Sequence, residues 1–483
     1  MSGDLSRIRL NAEIYGSVVD NADLSLRLSA YAAIVFVVLL LLVLLGQTLF
    51  SIFWAPALAG TAAFVVWRSN RGRRYSKLIT LFFALAAAHA IFGYWAASNS
   101  TAVIWIGSNA EQMFRQSLLV IATTLLIAAF SYDIAIRFPA KKAQRFCSRL
   151  QISEQRLIVL ARILLVLGCL LEVYVIVAAG FMPVLTSDPG VSRYLGPDLT
   201  DKYKIYEWLL YLGLDFLGCS LPIVLFSALV RRRNLDRIFA IAGIVGVLLS
   251  LRRSYLISLI AVLLLTIGFV KGKFPRRYAV YLALLVLAYF SSQLILLNSL
   301  GQRMDERAAT SAALSGLPEV RDLGWVMSLV GEKRLYGATF VSLVPLLGRV
   351  SDVKSEYGLV ETTTQLIGLE GMAMTGGLRL TVGGEGFLNF GALGCLIMGA
   401  IFGGLCGFLS HLNAVLLKKR DFASSFLAAS LFLWICFWIY LAGTEATGAV
   451  RNGLIILAAM FYVARVRVPA RQLAGDFSAE FSS

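Results

Sequence analysis

Histidine is almost absent from this chain of 483 residues, which has only two: His89 inside one apolar stretch and His411 near the end of another. Neither has a ligand partner at metal spacing, so the sequence offers no metal centre and calls for no cofactor. The six cysteines, Cys147, Cys169, Cys219, Cys395, Cys406 and Cys436, fall in apolar stretches or in a basic connector, and no disulfide is expected. Acidic residues are scarce too, with 28 against 44 lysines and arginines for a net charge of +16. In a soluble protein that balance would point to nucleic acid. Here the cations stand in short blocks between apolar runs, where they set membrane topology, and no nucleic-acid partner is expected. The first 27 residues lack a cleavable signal pattern, so the first apolar run reads as an uncleaved anchor. There is no internal repeat and no low-complexity segment.

What is abundant is hydrocarbon. Hydrophobic residues make up 58% of the chain and the mean hydropathy is +0.77. The pattern predicts an all-α polytopic membrane protein with about 12 transmembrane helices and one large periplasmic loop containing short helices. The spans fall at roughly 28–46, 48–67, 77–97, 115–137, 157–180, 208–230, 236–251, 253–270, 278–298, 384–411, 422–441 and 450–466. Basic connectors at 68–77, 137–156, 231–237, 271–277 and 418–420 alternate with less basic ones, which places both termini in the cytoplasm. The chain then divides into a cytoplasmic N-terminus (1–27), nine spans (28–298), a large outer loop (299–383), three spans (384–466) and a cytoplasmic tail (467–483). The outer loop is too long for a mere connector. Its charged clusters alternate with apolar runs, which suits short amphipathic helices on or dipping into the outer face.

An arginine pair, Arg252 and Arg253, interrupts an apolar stretch between two basic blocks, Arg231 to Arg237 and Lys271 to Arg277. If both blocks are cytoplasmic, the chain crosses an even number of times between them. A single helix of roughly 34 residues would be far too long for a core of about 30 Å. Two short spans fit, with the arginines at the outer turn between them. An arginine near the bilayer centre costs roughly 2.5–3.5 kcal/mol on insertion scales. An anionic ligand on the outer side would offset that cost.

The large loop returns to the membrane through a glycine-rich run, with glycines at 376, 377, 383, 384, 386, 391 and 394. They permit close backbone approach. Glu385 lies in this run where a helix should begin. One reading is a first-turn acid that suits the helix dipole, and the other is a general base tuned by partial burial.

The run Glu385-Gly-Phe-Leu-Asn389-Phe390-Gly391, followed by Gly394 and by Gly403-Gly404, resembles the Gly-Glu-x-Tyr/Phe-x-Asn-Phe-Gly pattern of the bacterial oligosaccharide repeat-unit polymerases, the Wzy-type O-antigen polymerases. Phe387 stands where tyrosine is frequent in that family. Ser250-Leu-Arg-Arg-Ser254 is similar to the family's Ser-x-x-Arg motif between adjacent spans, with Ser in place of a following Gly. The layout, with many spans and one large periplasmic loop before the last few, is similar as well. The resemblance implies transfer of a growing glycan from polyprenyl pyrophosphate to a new lipid-linked repeat unit at the periplasmic face of the bacterial inner membrane. It further implies the polyprenyl-pyrophosphate-linked oligosaccharide and membrane lipid as partners, with a chain-length regulator and a flippase nearby.

That reaction needs a base for the acceptor hydroxyl and cations for the departing pyrophosphate. Glu385 is the candidate for the first. Arg252 and Arg253 suit the second, since guanidinium groups bind phosphate bidentately. Arg321, Arg334 and Arg379 are further cations of the loop that could join them, and Asn389 of the motif is a candidate for holding the glycan. Intramembrane acids at Glu172, Asp215 and, at a boundary, Glu445 are either functional or paired with a neighbouring arginine.

Two alternatives remain open. An O-antigen ligase-like transferase shares the layout, but such enzymes typically use a histidine in the large loop, and residues 299–383 contain none. A transporter or flippase of lipid-linked oligosaccharide would favour matching halves and midplane charge, and neither pattern is seen here.

Overall fold

The computed structural model describes residues 51–71, 77–99, 103, 106–138, 140–182, 206–250, 253–272, 280, 319–330, 334–337, 339, 380–440 and 445–465. The helices, in chain order, are α1 (Ser51–Ser69), α2 (Lys77–Ser98), α3 (Ala110–Ala135), α4 (Lys141–Arg149), α5 (Glu154–Ala179), α6 (Glu207–Val230), α7 (Asn234–Leu249), α8 (Arg253–Lys271), α9 (Glu319–Val330), α10 (Val382–Phe390), α11 (Ala392–Lys419), α12 (Phe422–Phe432, continued by a π-helical stretch Leu433–Ile439) and α13 (Glu445–Ala464). Regular structure among the described residues is helical, apart from an isolated backbone bridge between Ile152 and Arg465. Five helical segments, Lys77–Ser98, Gly107–Ala135, Glu154–Ala179, Trp208–Val230 and Ala392–Lys419, are long and apolar enough to cross a membrane. Large apolar side chains such as Val177, Ile238 and Leu170 are mostly exposed on the helix surfaces, as suits faces turned to lipid. The chain has the make-up of an all-α membrane protein.

The expected spans at 28–46 and 278–298 lie outside the described residues, save Val280. Around the arginine pair, α7 ends at Leu249 and α8 begins at Arg253, and the expected turn at residues 251 and 252 lies outside the described residues. The span expected as one helix over 384–411 is two. It breaks at Gly391, whose φ of 64° and ψ of −143° continue no helix, so Glu385 sits on a separate nine-residue helix. Glycine is apolar, and a hydropathy pattern runs straight through such a break.

Two packing groups make up the bundle. In one, α3 is surrounded by α1, α2, α9, α10 and α11, with Phe82, Phe114, Leu125 and Phe402 in its core. In the other, α5, α6, α7, α8, α12 and α13 meet around Leu165, Leu221, Val262 and Phe426. Helix α12 contributes to both cores, through Phe426 on one side and Phe432 on the other.

The α3–α11 seam shows what holds such helices together. Gly399, Gly403 and Gly407 recur every four residues along α11 and lie against Thr124, Ala128 and Ala135 of α3. A Cβ on Gly403 would stand 2.0 Å from the Ala128 carbonyl oxygen, a backbone contact that no rotamer change relieves. The next residue, Gly404, has nothing within 4 Å of such a Cβ. Adjacent alanine substitutions should therefore behave oppositely. Gly403→Ala should destabilise by about 1–3 kcal/mol or more through overpacking. Gly404→Ala should be neutral, or stabilising by up to about 1 kcal/mol from helix propensity. Thermal unfolding of the detergent-solubilised variants checks this, and equal midpoints would mean that the seam is not packed this way.

Candidate functional site

Helix α10 is seated by small residues on three sides. A Cβ on Gly383 would meet the Thr124 side chain of α3 at 2.3 Å, and one on Gly384 would meet Leu323 of α9 at 3.1 Å. Against α11 the contact is backbone to backbone: a Cβ on Gly394 would lie 1.7 Å from the Gly386 carbonyl oxygen. Thr381 caps the helix, its hydroxyl accepting from the Gly384 N–H at 3.2 Å. Much of the glycine-rich run is thus explained by close approach. It also sets the depth of the site: Thr124 lies 14 residues into α3, roughly 21 Å along it at about 1.5 Å per residue. Part of the segment expected as an outer cap follows the same helix, since Gly324 of α9 faces Phe114 and Ser117.

Seated this way, Glu385 and Asn389 lie one turn apart and are both 0% exposed. A third side chain, Thr339, also 0% exposed, comes to them from the loop segment. Its hydroxyl donates to Glu385 Oε1 at 2.8 Å and accepts from Asn389 Nδ2 at 2.7 Å. Asn389 is satisfied on all sides: Nδ2 also donates to the Glu385 carbonyl at 2.9 Å, and Oδ1 accepts from the Gly337 N–H at 2.8 Å. The loop backbone closes the end of α10, with Leu335 N–H on the Leu388 carbonyl and Tyr336 N–H on the Asn389 carbonyl, each at 3.1 Å. Tyr336 (φ 48°) and Gly337 (φ 89°) make the left-handed turn that brings the loop round to Thr339. Arg334 lies just before that turn. Its guanidinium sits 5.0 Å from the centroid of the Phe387 ring and beside Gly391, and it pairs with no carboxylate among the described residues.

Of the residues singled out in the sequence, Glu385, Asn389 and Arg334 therefore meet on one short helix and its closing loop. Arg321 does not join them. It is tied to its neighbour Asp322 at 2.8 Å, on the helix whose Leu323 packs on Gly384. Arg252 and Arg379 lie outside the described residues, and Arg253 is placed only by its backbone, as the first residue of α8. The first-turn reading of Glu385 is right about its position, but its carboxylate is engaged by a hydroxyl from 46 residues away. Thr339 was not expected. Nothing local marks it, because its role comes from a long-range contact.

The membrane acids divide differently. Among the described residues, Asp215 accepts from Tyr255 at 3.0 Å and from Asn452 at 3.3 Å, two neutral donors, while the side chains of Arg252, Arg253 and Arg451 lie outside them. Glu172 is 3% exposed, and neither carboxylate oxygen has a hydrogen-bond partner among the described residues. The side chains of Glu445 and Arg451 lie outside the described residues. Comparison of the chain with protein-family models, with curated proteins and with solved structures gives no match.

Replacing Thr339 by valine keeps the shape and removes the hydroxyl. That leaves a buried carboxylate oxygen and a buried amide hydrogen each short of one partner. Thr339→Val should cost about 1–3 kcal/mol of stability, and Thr339→Ser should recover most of it. The unfolding midpoints of the two purified variants check this. A valine variant as stable as the parent would detach Thr339 from the site.

Proposed function

We propose that the chain is a membrane glycosyltransferase that polymerises oligosaccharide repeat units carried on polyprenyl pyrophosphate, acting from the periplasmic side of a bacterial inner membrane in a protein of about 12 spans. The observation that carries this reading is the buried Asn389–Thr339–Glu385 chain on the motif helix. A carboxylate is held 2.8 Å from a hydroxyl, within the heavy-atom distance that general-base transfer requires. Arg334 lies over the Phe387 ring of the same helix, free of carboxylate partners among the described residues.

In this proposal Glu385 takes the proton of the acceptor sugar hydroxyl as that oxygen bonds to the anomeric carbon of the donor. The anomeric bond to pyrophosphate breaks, and the lipid pyrophosphate departs with the electron pair. Arg334, Arg253 and Arg252 are assigned to stabilise that developing charge. Asn389 holds the loop through the Gly337 N–H and keeps the hydroxyl position oriented. Thr339 occupies, in this reading, the place that the acceptor hydroxyl takes during reaction.

One observation favours a second reading, a carrier of lipid-linked oligosaccharide: Glu172, buried in α5 without a hydrogen-bond partner among the described residues, is the kind of intramembrane acid that transporters use. Surface-glycan length separates the readings. In a host lacking this chain, the polymerase reading expects single repeat units on the final acceptor, and a ligase would leave long polymer stranded on its lipid carrier. An unchanged length profile would favour the carrier. Restoring the chain as Glu385→Gln should give normal membrane levels but no polymer, and Arg253→Ala should fail likewise, whereas Arg349→Ala should restore polymer. Long polymer from Glu385→Gln would remove it as the base.

A further inference from the structure

Helix α4 carries four cations and no acid in nine residues. Lys142, Arg145 and Arg149 are spaced by three and four, so they share one face. The opposite face is fixed to the bundle. Cys147 is buried against Leu416, Leu417 and Ala428, and Gln144 Nε2 meets His411 Nδ1 at 3.4 Å. Lys419 of α11 donates to the carbonyls of Cys147 and Leu150, both at 2.7 Å, which closes the helix C-terminus. A further cation arrives from the last helix. Ser153 N–H donates to the Ala464 carbonyl at 2.8 Å, and Ile152 forms a backbone bridge with Arg465, so Arg465 is pinned beside α4.

Between these elements lies a cavity of about 360 Å³, lined by Lys142, Arg145, Arg149 and Arg465 together with Phe146 and Leu150. None of the four cations pairs with a carboxylate among the described residues. Like charges gathered round one cavity repel, and a bound anion relieves that repulsion. Phe146, 61% exposed, adds an apolar wall beside the charges. Cations around an apolar wall, at the ends of apolar helices of membrane-crossing length, match a ligand with a phosphate head and a hydrocarbon tail. We infer that this cavity binds the headgroup phosphate of an anionic diacyl phospholipid of the leaflet that the basic connectors face, which the charge pattern assigns to the cytoplasm. The inference is independent of the proposed reaction, since α4 and Arg465 take no part in it.

The test uses the purified full-length chain in detergent, with phosphatidylglycerol or phosphatidylcholine added and the bound lipid counted by native mass spectrometry. The expected result is retention of phosphatidylglycerol at least tenfold tighter than phosphatidylcholine. Arg145→Ala combined with Arg149→Ala should erase that preference, and Arg71→Ala combined with Lys77→Ala, on a different connector, should not. Equal retention of the two lipids by the parent protein would overturn the inference whether or not any variant folds. Displacement of phosphatidylglycerol by millimolar inorganic phosphate would overturn it in favour of a free-phosphate site. Equal loss of preference in both double variants would also overturn it, because the effect would then be one of net charge.

Discussion

The seam between α3 and α11 is made by backbone meeting backbone, and most of the first packing group depends on it. Lipid tails are as apolar as leucine, so helices in a bilayer gain little from burying hydrocarbon against each other. Association has to come from close packing and from polar groups that find partners. Gly399, Gly403 and Gly407 give α11 a smooth face that reaches the α3 main chain, and Gly394 does the same for Gly386 of α10. Side chains at the first three would push α11 off α3, and one at Gly394 would push α10 off α11. Helix α9 and the closing loop pack on α10 and α3, so they would lose their seat as well.

The burial of Glu385 follows from that packing. A nine-residue helix is too short to be stable alone in water or lipid. Here it is wedged among three longer or better anchored helices and closed at its end by two backbone hydrogen bonds from the 335–336 segment. The result is a carboxylate with no exposed surface, oriented by a hydroxyl that is itself oriented by an amide. Buried polar chains of this kind are tolerated only when each member is satisfied, and Asn389 uses its full side chain to that end.

Long helices were the legible part of this sequence. The expected span at 77–97 is Lys77–Ser98 in the structure, 157–180 is Glu154–Ala179, and 208–230 is Glu207–Val230, because sustained apolar runs flanked by charge leave little choice. The chemistry-bearing run was legible in composition but not in shape. Its glycines signalled close approach, yet which neighbour each one meets depends on tertiary structure. The spacing of four in Gly399, Gly403 and Gly407 was present in the sequence and is the better packing signal than the Gly403-Gly404 pair, of which one member faces open space. Thr339 could not be read locally. A threonine in a loop becomes part of a site only when the loop folds back over 46 residues onto Glu385.

The depth of the site constrains any chemistry assigned to it. Gly383, two residues before Glu385, meets α3 about midway along its length, and the Glu385 carboxylate has no exposed surface. A base so placed reaches an acceptor hydroxyl only if something now covering it moves aside. Among the described residues, the hydroxyl on its Oε1 is that of Thr339, on a segment that also bonds α10 through the N–H groups of Leu335, Tyr336 and Gly337. An acceptor hydroxyl arriving at Glu385 would replace the hydrogen bond it breaks with one of the same kind, so opening the site would cost the buried carboxylate little.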